Sequence, residues 1–582
     1  MKKLLRFLAP YKKECILGPL FKMLEATFEL FVPLVVASMI DRGIANGDRS
    51  HIIRMCLLLA GLAAIGLTNT LFAQHFAAKA ATGFSARVRH ALMDRIQHMT
   101  YTDLDTLGTS SLITRMTSDV NQLQNGVNLT LRLLLRSPFI VVGAMIMAFT
   151  VDIKGALVFT VAIPLLSVVV FGIMLLTIPM YRRVQERLDA VTDTTRESLT
   201  GVRVIRAFRN EQAETDKFRE ENSLLVRMQQ KVGSISALMN PLTYVLVNGA
   251  IIALIAVGAV RVHTGVLTQG AVIALYNYMS QILVELIKFA NFIINITKAV
   301  ACGNRVQAVL ESGTPVPDGE AAPQIDESAR GTLTFSHVSF AYAGAAEPSL
   351  HDISFTAKRG AVIGIIGGTG SGKSTLVNLI PRFYEPTSGS ITVDGISSQD
   401  FPREALRARI GIVPQKAVLF HGTIRQNLLW GRADASEEAL TAALETAQAT
   451  DIVRAKKDGL DEMLTESGHN LSGGQRQRLT IARALVRQPE FLILDDSTSA
   501  LDYATDAALR KALRNLPQNP TVFLVSQRTA SIRHADLILV LEDGHLAGSG
   551  THESLLRDCA VYREIHASQT QKTGEEVQPD GK

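Results

Sequence analysis

Four long runs without a charged residue constrain the fold of this chain more than any other feature. They cover residues 55–78, 155–181, 232–260 and 262–284. An α-helix needs about 20 apolar residues to cross a hydrocarbon core roughly 30 Å thick, and each run is long enough. Because a chain of 582 residues exceeds the size of one hydrophobic core, we expect a membrane-spanning part and at least one further domain.

Two weaker apolar segments, residues 15–40 and residues 129–151 with Arg136 near their start, bring the predicted number of spans to six. Two of the connecting loops are long and rich in Lys and Arg, whereas the other three are short. Positively charged loops stay on the cytoplasmic side. We therefore predict a multi-pass protein of the cell membrane (plasma or inner membrane), with both termini in the cytoplasm and helical extensions beyond the bilayer.

Ionisable residues interrupt the first and the last span. Lys22, Glu25 and Glu29 are spaced to share one helix face, and so are Glu285 and Lys288. Such a face avoids lipid. It either lines a polar cavity through the membrane or forms salt bridges between helices. In the first span, an expected position of Lys22 near the membrane interface favours salt bridges or charges beyond the membrane boundary over a polar cavity. In the last span the polar cavity and these alternatives stay open.

Charge and composition divide the chain into parts. Residues 1–300 carry 31 Lys+Arg against 20 Asp+Glu, although the net charge of the whole chain is only +5. Beyond them, Pro315, Pro317 and Pro323 lie among acidic and small residues, as is typical of a linker. Strand-like and helical patterns then alternate, as in an α/β domain. We predict a transmembrane domain at 1–300, a linker at 301–330, an α/β domain at 331–567 and a disordered tail at 568–582.

A glycine-rich motif follows the strand-like run AVIGII and precedes a helical run. Glycines let backbone N–H groups wrap a phosphate chain, Lys373 reaches the β and γ phosphates, and the Ser374 hydroxyl binds Mg²⁺. The motif consists of Gly367, Gly368, Thr369, Gly370, Ser371, Gly372, Lys373, Ser374 and Thr375. It predicts a site for a nucleoside phosphate with Mg²⁺.

A second phosphate cradle lies in the same predicted domain. The buried-strand pattern FLILDD ends in two carboxylates, of which Asp495 can hold the Mg²⁺ shell. Before it, small residues begin a basic helix, where backbone N–H groups and the helix dipole favour an anion. These residues are Ser472, Gly473, Gly474 and Gln475. A domain with two phosphate cradles calls for an explanation.

The phosphate loop, the sequence LSGGQ and the SALD segment at residues 499–502 together resemble the ABC transporter family. The resemblance covers nearly the whole chain and is specific to exporter-type half transporters, in which six spans are fused to one nucleotide-binding domain. It implies an α-helical transmembrane bundle followed by an α/β P-loop ATPase domain. In that family two such domains meet head to tail, and ATP lies between the phosphate loop of one and the LSGGQ of the other.

The resemblance also assigns roles to residues outside the phosphate cradles. Tyr342 is similar to the aromatic residue that stacks on adenine, although a tyrosine of the core is the alternative. Gln415 resembles the glutamine that contacts Mg²⁺ and senses the membrane part. Residues 201–211 and 103–110 resemble the coupling helices that dock cytoplasmic loops onto the ATP-binding domains.

Two positions depart from the family pattern. The residue after the Mg²⁺ aspartate is usually a hydrolytic glutamate, but here it is Asp496, which is one methylene shorter. The usual histidine at the γ-phosphate is replaced by Gln527, which can donate a hydrogen bond but cannot become cationic. We predict that this site binds ATP and hydrolyses it slowly, as in the degenerate subunit of heterodimeric exporters. The alternative is that Asp496 still acts as the base with a rearranged water.

The resemblance implies an ATP-hydrolysing translocase that exports small amphipathic or hydrophobic, drug-like compounds by alternating access. Its expected partners are the lipid bilayer and a second half transporter, a different chain with an intact catalytic glutamate. A lipid, peptide or siderophore transporter and a homodimer with slow ATPase share these motifs, and an importer differs in direction. The mild net charge gives no support for a nucleic-acid partner, and the charge-free spans argue against a soluble ABC ATPase acting on DNA or ribosomes.

Overall fold

The structure is a computed structural model that describes residues 2–313, 318–319 and 329–574. It divides into two compact units. The helical unit comprises Met1–His98 and Gly108–Ser312, and the α/β unit comprises Met99–Leu107 and Gly313–Lys582. Separate clusters of buried apolar residues form the core of each unit. The two parts predicted from charge and hydropathy are therefore separate structural units.

Among the described residues, six helical spans are long and apolar enough to cross a membrane, as predicted. They are Lys3–Ile44, Arg49–Gln97, Thr109–Val151, Ile153–Thr200, Glu211–His263 and Gln269–Glu311. A 3₁₀ segment (Lys2–Tyr11) and two π-helical segments (Met39–Ile44 and Arg115–Asp119) adjoin the regular helices. The α-helices are α1 (Lys12–Ser38), α2 (Arg49–Gln97), α3 (Tyr101–Leu107, in the α/β unit), α4 (Thr109–Thr114), α5 (Val120–Leu133), α6 (Arg136–Val151), α7 (Ile153–Thr200), α8 (Val202–Ala207), α9 (Glu211–Ala237), α10 (Met239–His263) and α11 (Gln269–Glu311).

Polar caps begin three helices at the short connections of the helical unit. Asp48, Asp152 and Thr268 each accept a hydrogen bond from the backbone N–H three residues later, at the starts of α2, α7 and α11. These bonds satisfy backbone donors that the first helical turn leaves unpaired. The Asp152 carboxylate also lies 2.6 Å from Arg261 at the end of α10. The cap therefore joins two neighbouring spans as well as starting one.

A buried ion-pair network joins α1, α6 and α11 within the helical unit. Arg136 Nη1 lies 2.5 Å from Glu285 Oε1, and Arg136 Nη2 lies 2.8 Å from Glu29 Oε2. Lys288 donates to Glu285 Oε1 over 2.9 Å, and Ser137 donates to Glu285 Oε2 over 2.8 Å. The salt bridges that the spacing allowed are therefore present, and they place the Arg136 cation between two carboxylates from different spans.

Arg136→Met is expected to destabilise the protein by about 3 kcal/mol or more, because it leaves the buried Glu285 carboxylate without this cation. The melting temperature of the detergent-solubilised protein measures the effect. Arg136→Met/Glu285→Leu removes both buried charges and is expected to recover most of the lost stability. A double variant as unstable as the single one would show that the pairing does not determine the loss.

The α/β unit contains two main sheets and a short hairpin among its described residues. Its strands are β1 (Leu333–Phe340), β2 (Leu350–Ala357), β3 (Val362–Gly367), β4 (Ser388–Val393), β5 (Ile396–Ser397), β6 (Ile410–Val413), β7 (Gly422–Thr423), β8 (Met463–Leu464), β9 (Phe491–Asp495), β10 (Thr521–Val525), β11 (Leu537–Glu542) and β12 (His545–Gly550). The antiparallel sheet has the order β2-β1-β4-β5, the hairpin pairs β7 with β8, and the larger sheet has the order β12-β11-β3-β10-β9-β6. Among the described strands of the larger sheet, β11 and β12 pair antiparallel and the other neighbours pair parallel.

Helices cover these sheets. They are α12 (Lys373–Leu379), α13 (Arg403–Ala408), α14 (Ile424–Leu429), α15 (Glu437–Thr446), α16 (Thr450–Arg454), α17 (Gly473–Val486), α18 (Tyr503–Arg514), α19 (Thr529–Ile532), α20 (His552–Asp558) and α21 (Ala560–Gly574). Short 3₁₀ turns occupy Ser398–Asp400, Gly459–Asp461 and Glu466–Gly468. Strands β9 and β10 are buried along their whole length, as expected for parallel strands covered on both faces. The carboxyl ends of β3, β10 and β9 therefore meet at one edge of the sheet.

The structure differs from the predicted domain boundaries at three places. Met99–Leu107 lie within the predicted transmembrane domain but belong to the α/β unit. The predicted linker begins at residue 301, but α11 continues to Glu311 because Val306 and Val309 remain buried. The predicted disordered tail begins at residue 568, but α21 continues to Gly574, and the Gln569 side chain accepts hydrogen bonds from Thr529. The three linker prolines and residues 575–582 of the tail lie outside the described residues.

Candidate nucleotide-binding site

The phosphate loop connects β3 to α12 at the carboxyl edge of the larger sheet. Gly370 and Gly372 have φ angles of +86° and +91°, a region that glycine adopts without strain. A Cβ atom on Gly370 would meet no heavy atom within 4 Å, so the loop backbone borders open space there. The loop, including Thr369 and Ser371, therefore has the conformation of a backbone cradle with room for a ligand.

The Lys373 ammonium lies inside this cradle. Lys373 Nζ donates to the carbonyl oxygens of Gly367 (3.0 Å) and Gly368 (2.5 Å) and lies 3.3 Å from Ser371 Oγ. Burial lowers the pKa of Lys373, although Asp496 and Asp495 partly oppose the shift. A buried cation held mainly by neutral carbonyls would gain from an anionic partner. The loop therefore fits a phosphate group.

Ser374 and Asp495 place two oxygen atoms beside the loop that are suitable as metal ligands. Ser374 Oγ donates to Asp495 Oδ1 over 3.0 Å. Asp495 ends β9 and is in register with Val525 of β10, which is in register with Ile365 of β3. Burial raises the pKa of Asp495, and the charge of Asp496 raises it further. Hydroxyl and carboxylate oxygens are the donors that Mg²⁺ prefers, and a divalent cation would relieve the crowding of negative charge.

Asp496 follows directly, with a left-handed backbone at φ +45°. This conformation is uncommon for residues other than glycine, although aspartate tolerates it better than most. Gln415 Nε2 lies 3.5 Å from Asp496 Oδ2. Burial raises the pKa of Asp496, against the opposing effects of Gln415, Lys373 and Arg528. The positive charges of Lys373 and Arg528 and the Gln415 amide thus favour the ionised form of this carboxylate.

Gln527 lies at the carboxyl end of β10, between the strands that carry the phosphate loop and Asp495. Its side chain is exposed, and its backbone carbonyl accepts a hydrogen bond from Gln569 over 2.7 Å. The next residue, Arg528, is the cation near Asp496 and was absent from the predicted site. Its position directly after Gln527 on the same strand end is the signal that could have identified it.

Tyr342 lies beside the far end of the phosphate loop. Its hydroxyl is 3.0 Å from Thr375 Oγ1. Its ring packs edge-on against Phe340 and Tyr384, with centroid distances of 4.9 and 5.3 Å. Tyr342 is therefore both a partner of the antiparallel-sheet core and a neighbour of the loop, so adenine stacking stays a prediction.

Helix α3 packs within the α/β unit through aromatic residues that the sequence analysis missed. The Tyr101 ring stacks on Phe383 at 4.4 Å, and the Tyr384 hydroxyl donates to Asp105 over 2.6 Å. Burial and the Asp105 carboxylate raise the pKa of Tyr384. Because Tyr384 also contacts Tyr342, ring contacts and one hydrogen bond connect α3 to the edge of the phosphate loop. The Phe-Tyr pair shortly after α12 is the available sequence signal.

The second phosphate cradle forms the start of α17. Ser472 Oγ accepts from the Gln475 backbone N–H, and Gln475 Oε1 accepts from the Ser472 backbone N–H over 3.0 Å. This reciprocal arrangement is a capping box. Gly473 and Gly474 leave the helix start without side chains, and Ser472 is exposed. Among the described residues, no hydrogen bond joins this cradle to the phosphate loop of the same chain.

Asp495→Asn is expected to raise the melting temperature of the nucleotide-free protein at pH 7. The pKa of Asp495 is raised in the folded protein, so folding favours its protonated form. The stability that this form contributes is fully present below the pKa of the unfolded state and is lost as the pH rises through the pKa of the folded state. The difference should therefore vanish as the pH approaches the ordinary aspartate pKa of about 3.9. The same variant should weaken Mg²⁺-dependent ATP binding by about 10-fold or more. A lower melting temperature at pH 7 would contradict the assignment.

Comparisons with known proteins agree with this geometry. Residues 15–286 match the family described as ABC transporter transmembrane region, and residues 350–499 match the family described as ABC transporter. The uncharacterized ABC transporter ATP-binding protein YfiB of Bacillus subtilis (strain 168) is 36% identical over 576 residues, which cover 99% of this chain and 100% of YfiB. The ATP-dependent lipid A-core flippase of Chromobacterium violaceum is 30% identical, with 98% and 97% of the two chains covered.

The fold also matches a solved structure along the whole chain. A bacterial Atm1-family ABC exporter with ATP bound superposes with a TM-score of 0.80 and 23% identity, covering 98% of this chain and 100% of that chain. The predicted fold class, a six-span helical bundle followed by an α/β P-loop ATPase domain, is confirmed. The chain belongs to the ABC transporter family, as an ATP-hydrolysing, multi-pass half transporter with an exporter-type fold.

Proposed function

We propose that this half transporter exports small amphipathic or hydrophobic, drug-like compounds from the cytoplasm as one subunit of a heterodimer. It lies in the plasma or inner membrane with both termini in the cytoplasm, and it works by alternating access. A relative supports the substrate class: YheI of Bacillus subtilis, named as a probable multidrug resistance ABC transporter, is 37% identical over 396 residues, which cover 68% of this chain and 67% of YheI.

Each residue of the site has a role in this proposal. The loop backbone and Lys373 bind the phosphates, and Tyr342 stacks on the adenine. Ser374, Asp495 and Gln415 would hold Mg²⁺, which when bound would neutralise charge on the phosphates. Asp496 accepts the proton of the attacking water, and Gln527 donates a hydrogen bond at the γ-phosphate.

One observation carries the assignment of slow turnover: Asp496 and Gln527 occupy neighbouring strand ends beside the phosphate loop. Asp496 Oδ2 lies 3.5 Å from Gln415 Nε2, a distance at the limit of a hydrogen bond. A displacement of about 1 Å can lower a rate on the order of 100-fold. Since Gln527 adds no positive charge, both changes weaken hydrolysis at this site.

The intact LSGGQ cradle supports pairing with a second subunit. Ser472 is exposed and the capping box holds the cradle in place. Helix α8, within the predicted coupling segment 201–211, is followed by Phe208, which is 80% exposed, and includes Val204, which is 61% exposed. Exposed apolar side chains of this kind suit a protein partner. We infer that these surfaces meet the ATP-binding unit of the partner.

A homodimer with slow ATPase is the second candidate. Burial raises the pKa of Asp496, which brings the carboxylate closer to the pH at which a general base works best. A lipid, peptide or siderophore transporter on the same fold remains a further alternative for the substrate, and the relative named as a lipid A-core flippase favours testing lipids.

Co-expression tests the proposal. The chain is produced alone and together with a half transporter from the adjacent reading frame, and the ATPase rates are compared in liposomes. We expect rapid ATP hydrolysis only in the co-expressed complex, and we expect Asp496→Ala to change its ATPase rate little. If co-expression does not raise the rate and Asp496→Ala abolishes the slow activity of the chain alone, the homodimer with slow ATPase is correct. Rapid ATPase of the chain alone that Asp496→Ala abolishes would contradict a weakly hydrolysing site. Dye export from liposomes then separates drug-like substrates from lipids.

A further inference from the structure

A cavity of about 500 Å³ opens between α1 and α11 of the helical unit. Its wall follows the helical repeat, because residues at i, i+3 and i+7 lie on one helix face. The residues that matter here are Glu29, Val32 and Val36 on α1 and Gln281, Val284 and Lys288 on α11. The cavity therefore lies between one face of each helix.

This wall combines apolar and charged surface. Val32, Val36 and Val284 supply the apolar part. The side chains of Glu29 and Lys288 are 40% and 46% exposed, whereas those of their partners Arg136 and Glu285 are 8% and 4% exposed. The buried pair holds the network together, and the two exposed groups remain open to the cavity.

The hydrogen bonds of the network show which polar atoms are already engaged and which can still bind a ligand. Both oxygens of Glu285 are engaged, by Arg136, Lys288 and Ser137. Glu29 uses Oε2 to accept from Arg136, and the bonds of the described residues leave its Oε1 free. Lys288 donates to Glu285, while an ammonium has three donors. The cavity thus offers an acceptor on α1 and further donors on α11.

The network is electrically balanced, and this balance limits which ligand can bind. Three carboxylates face three cations in the ion pairs around Arg136: Glu25, Glu29 and Glu285 on one side, and Lys22, Arg136 and Lys288 on the other. A ligand with a net charge would add an uncompensated charge within the membrane, where such charges are costly. A ligand that carries both signs can pair with Glu29 and Lys288 and leave the total unchanged.

We propose that this cavity binds the head group of a zwitterionic amphiphile. Its cationic group pairs with Glu29, its phosphate or carboxylate pairs with Lys288, and its chain lies along Val32, Val36 and Val284. The inference rests on the proposed export function and specifies the class of substrate. The same chemistry occurs in a membrane lipid and in a free single-chain compound.

Binding to the complete protein tests this inference without requiring transport. The protein is placed in nanodiscs of phosphatidylglycerol, and three radiolabelled probes of equal chain length are compared: an alkylphosphocholine, an alkyltrimethylammonium and an alkyl sulfate. We expect the zwitterion to bind on the order of 10-fold more tightly than either charged probe. Equal binding of all three probes would overturn the inference.

Two single variants shift the charge balance in opposite directions. Glu29→Gln gives the network a net positive charge and should turn its preference to the alkyl sulfate, whereas Lys288→Met should turn it to the alkyltrimethylammonium. The control variants Glu197→Gln and Lys217→Met alter an exposed pair 3.1 Å apart on α7 and α9 and should keep the zwitterion preference. Unchanged selectivity in both cavity variants would overturn the inference.

Further measurements identify the source of the ligand and separate the inference from the proposed function. If phosphatidylethanolamine added to the nanodiscs displaces the labelled alkylphosphocholine, the natural ligand is a membrane lipid. If only a soluble zwitterion displaces it, the natural ligand is a free compound. Either result supports the site. ATP-driven export without charge-dependent binding would overturn the inference and keep the proposed function. Charge-dependent binding in a complex that exports no probe would keep the site and contradict export.

Discussion

Asp496→Glu/Gln527→His is expected to raise the ATPase rate of the isolated chain on the order of 100-fold. The longer glutamate side chain extends the carboxylate by one methylene toward the attacking water, and histidine can carry a positive charge at the γ-phosphate. The phosphate-loop side of the site is already assembled, since Lys373 lies in the loop and Ser374 contacts Asp495, and a second copy of the chain supplies the LSGGQ cradle. Steady-state ATPase in liposomes measures the change.

A matched control separates the carboxylate from the cation. Asp496→Ala/Gln527→His supplies the histidine without any carboxylate and is expected to stay slow. ATP binding, measured by equilibrium dialysis, should remain similar in all variants because neither position belongs to the phosphate loop. If Asp496→Glu/Gln527→His binds ATP normally and its ATPase rate does not rise, these two positions do not limit turnover.

In the proposed heterodimer, Ser472→Ala is expected to lower the ATPase rate by about 100-fold or more, because it removes a hydroxyl from the cradle that we propose completes the partner's ATP site. Within this chain the hydroxyl also caps α17, so the variant loses about 1 kcal/mol of stability as well. The expected rate effect is much larger than this loss can explain in a folded complex.

The chain offers a matched control for the capping effect. Thr423 begins α14 with the same reciprocal capping box, in which Gln426 replaces Gln475. Thr423→Ala should therefore lower stability by a similar amount, about 1 kcal/mol, and leave the ATPase rate nearly unchanged. Equal rate losses in Ser472→Ala and Thr423→Ala would mean that the cradle acts only through helix stability.

Sequence alone predicted which residues lie together at the candidate nucleotide site, because the motifs combine local chemistry with a simple topological rule. Asp495 ends a parallel strand, and Lys373 and Gln527 come shortly after two others. The carboxyl ends of neighbouring parallel strands share one edge. The six spans were predictable for a similar reason, since the length and hydropathy of one segment are sufficient to identify a span.

Contacts between distant segments were not predictable from these patterns. The pairing of Arg136 with Glu285 depends on how α6 packs against α11, and the bond from Tyr384 to Asp105 joins residues far apart in the chain. The end of α11 was misplaced for a related reason, because burial of Val306 and Val309 maintains a helix that composition alone assigned to a linker.

The fate of bound ATP on the isolated chain tests the central claim most directly. The purified protein in liposomes is loaded with Mg²⁺ and γ-labelled ATP, freed of excess nucleotide by rapid filtration, and followed for phosphate release. We predict that the bound nucleotide remains largely ATP over minutes and that Asp496→Ala changes the release rate little. Rapid phosphate release that Asp496→Ala abolishes would contradict a weakly hydrolysing site.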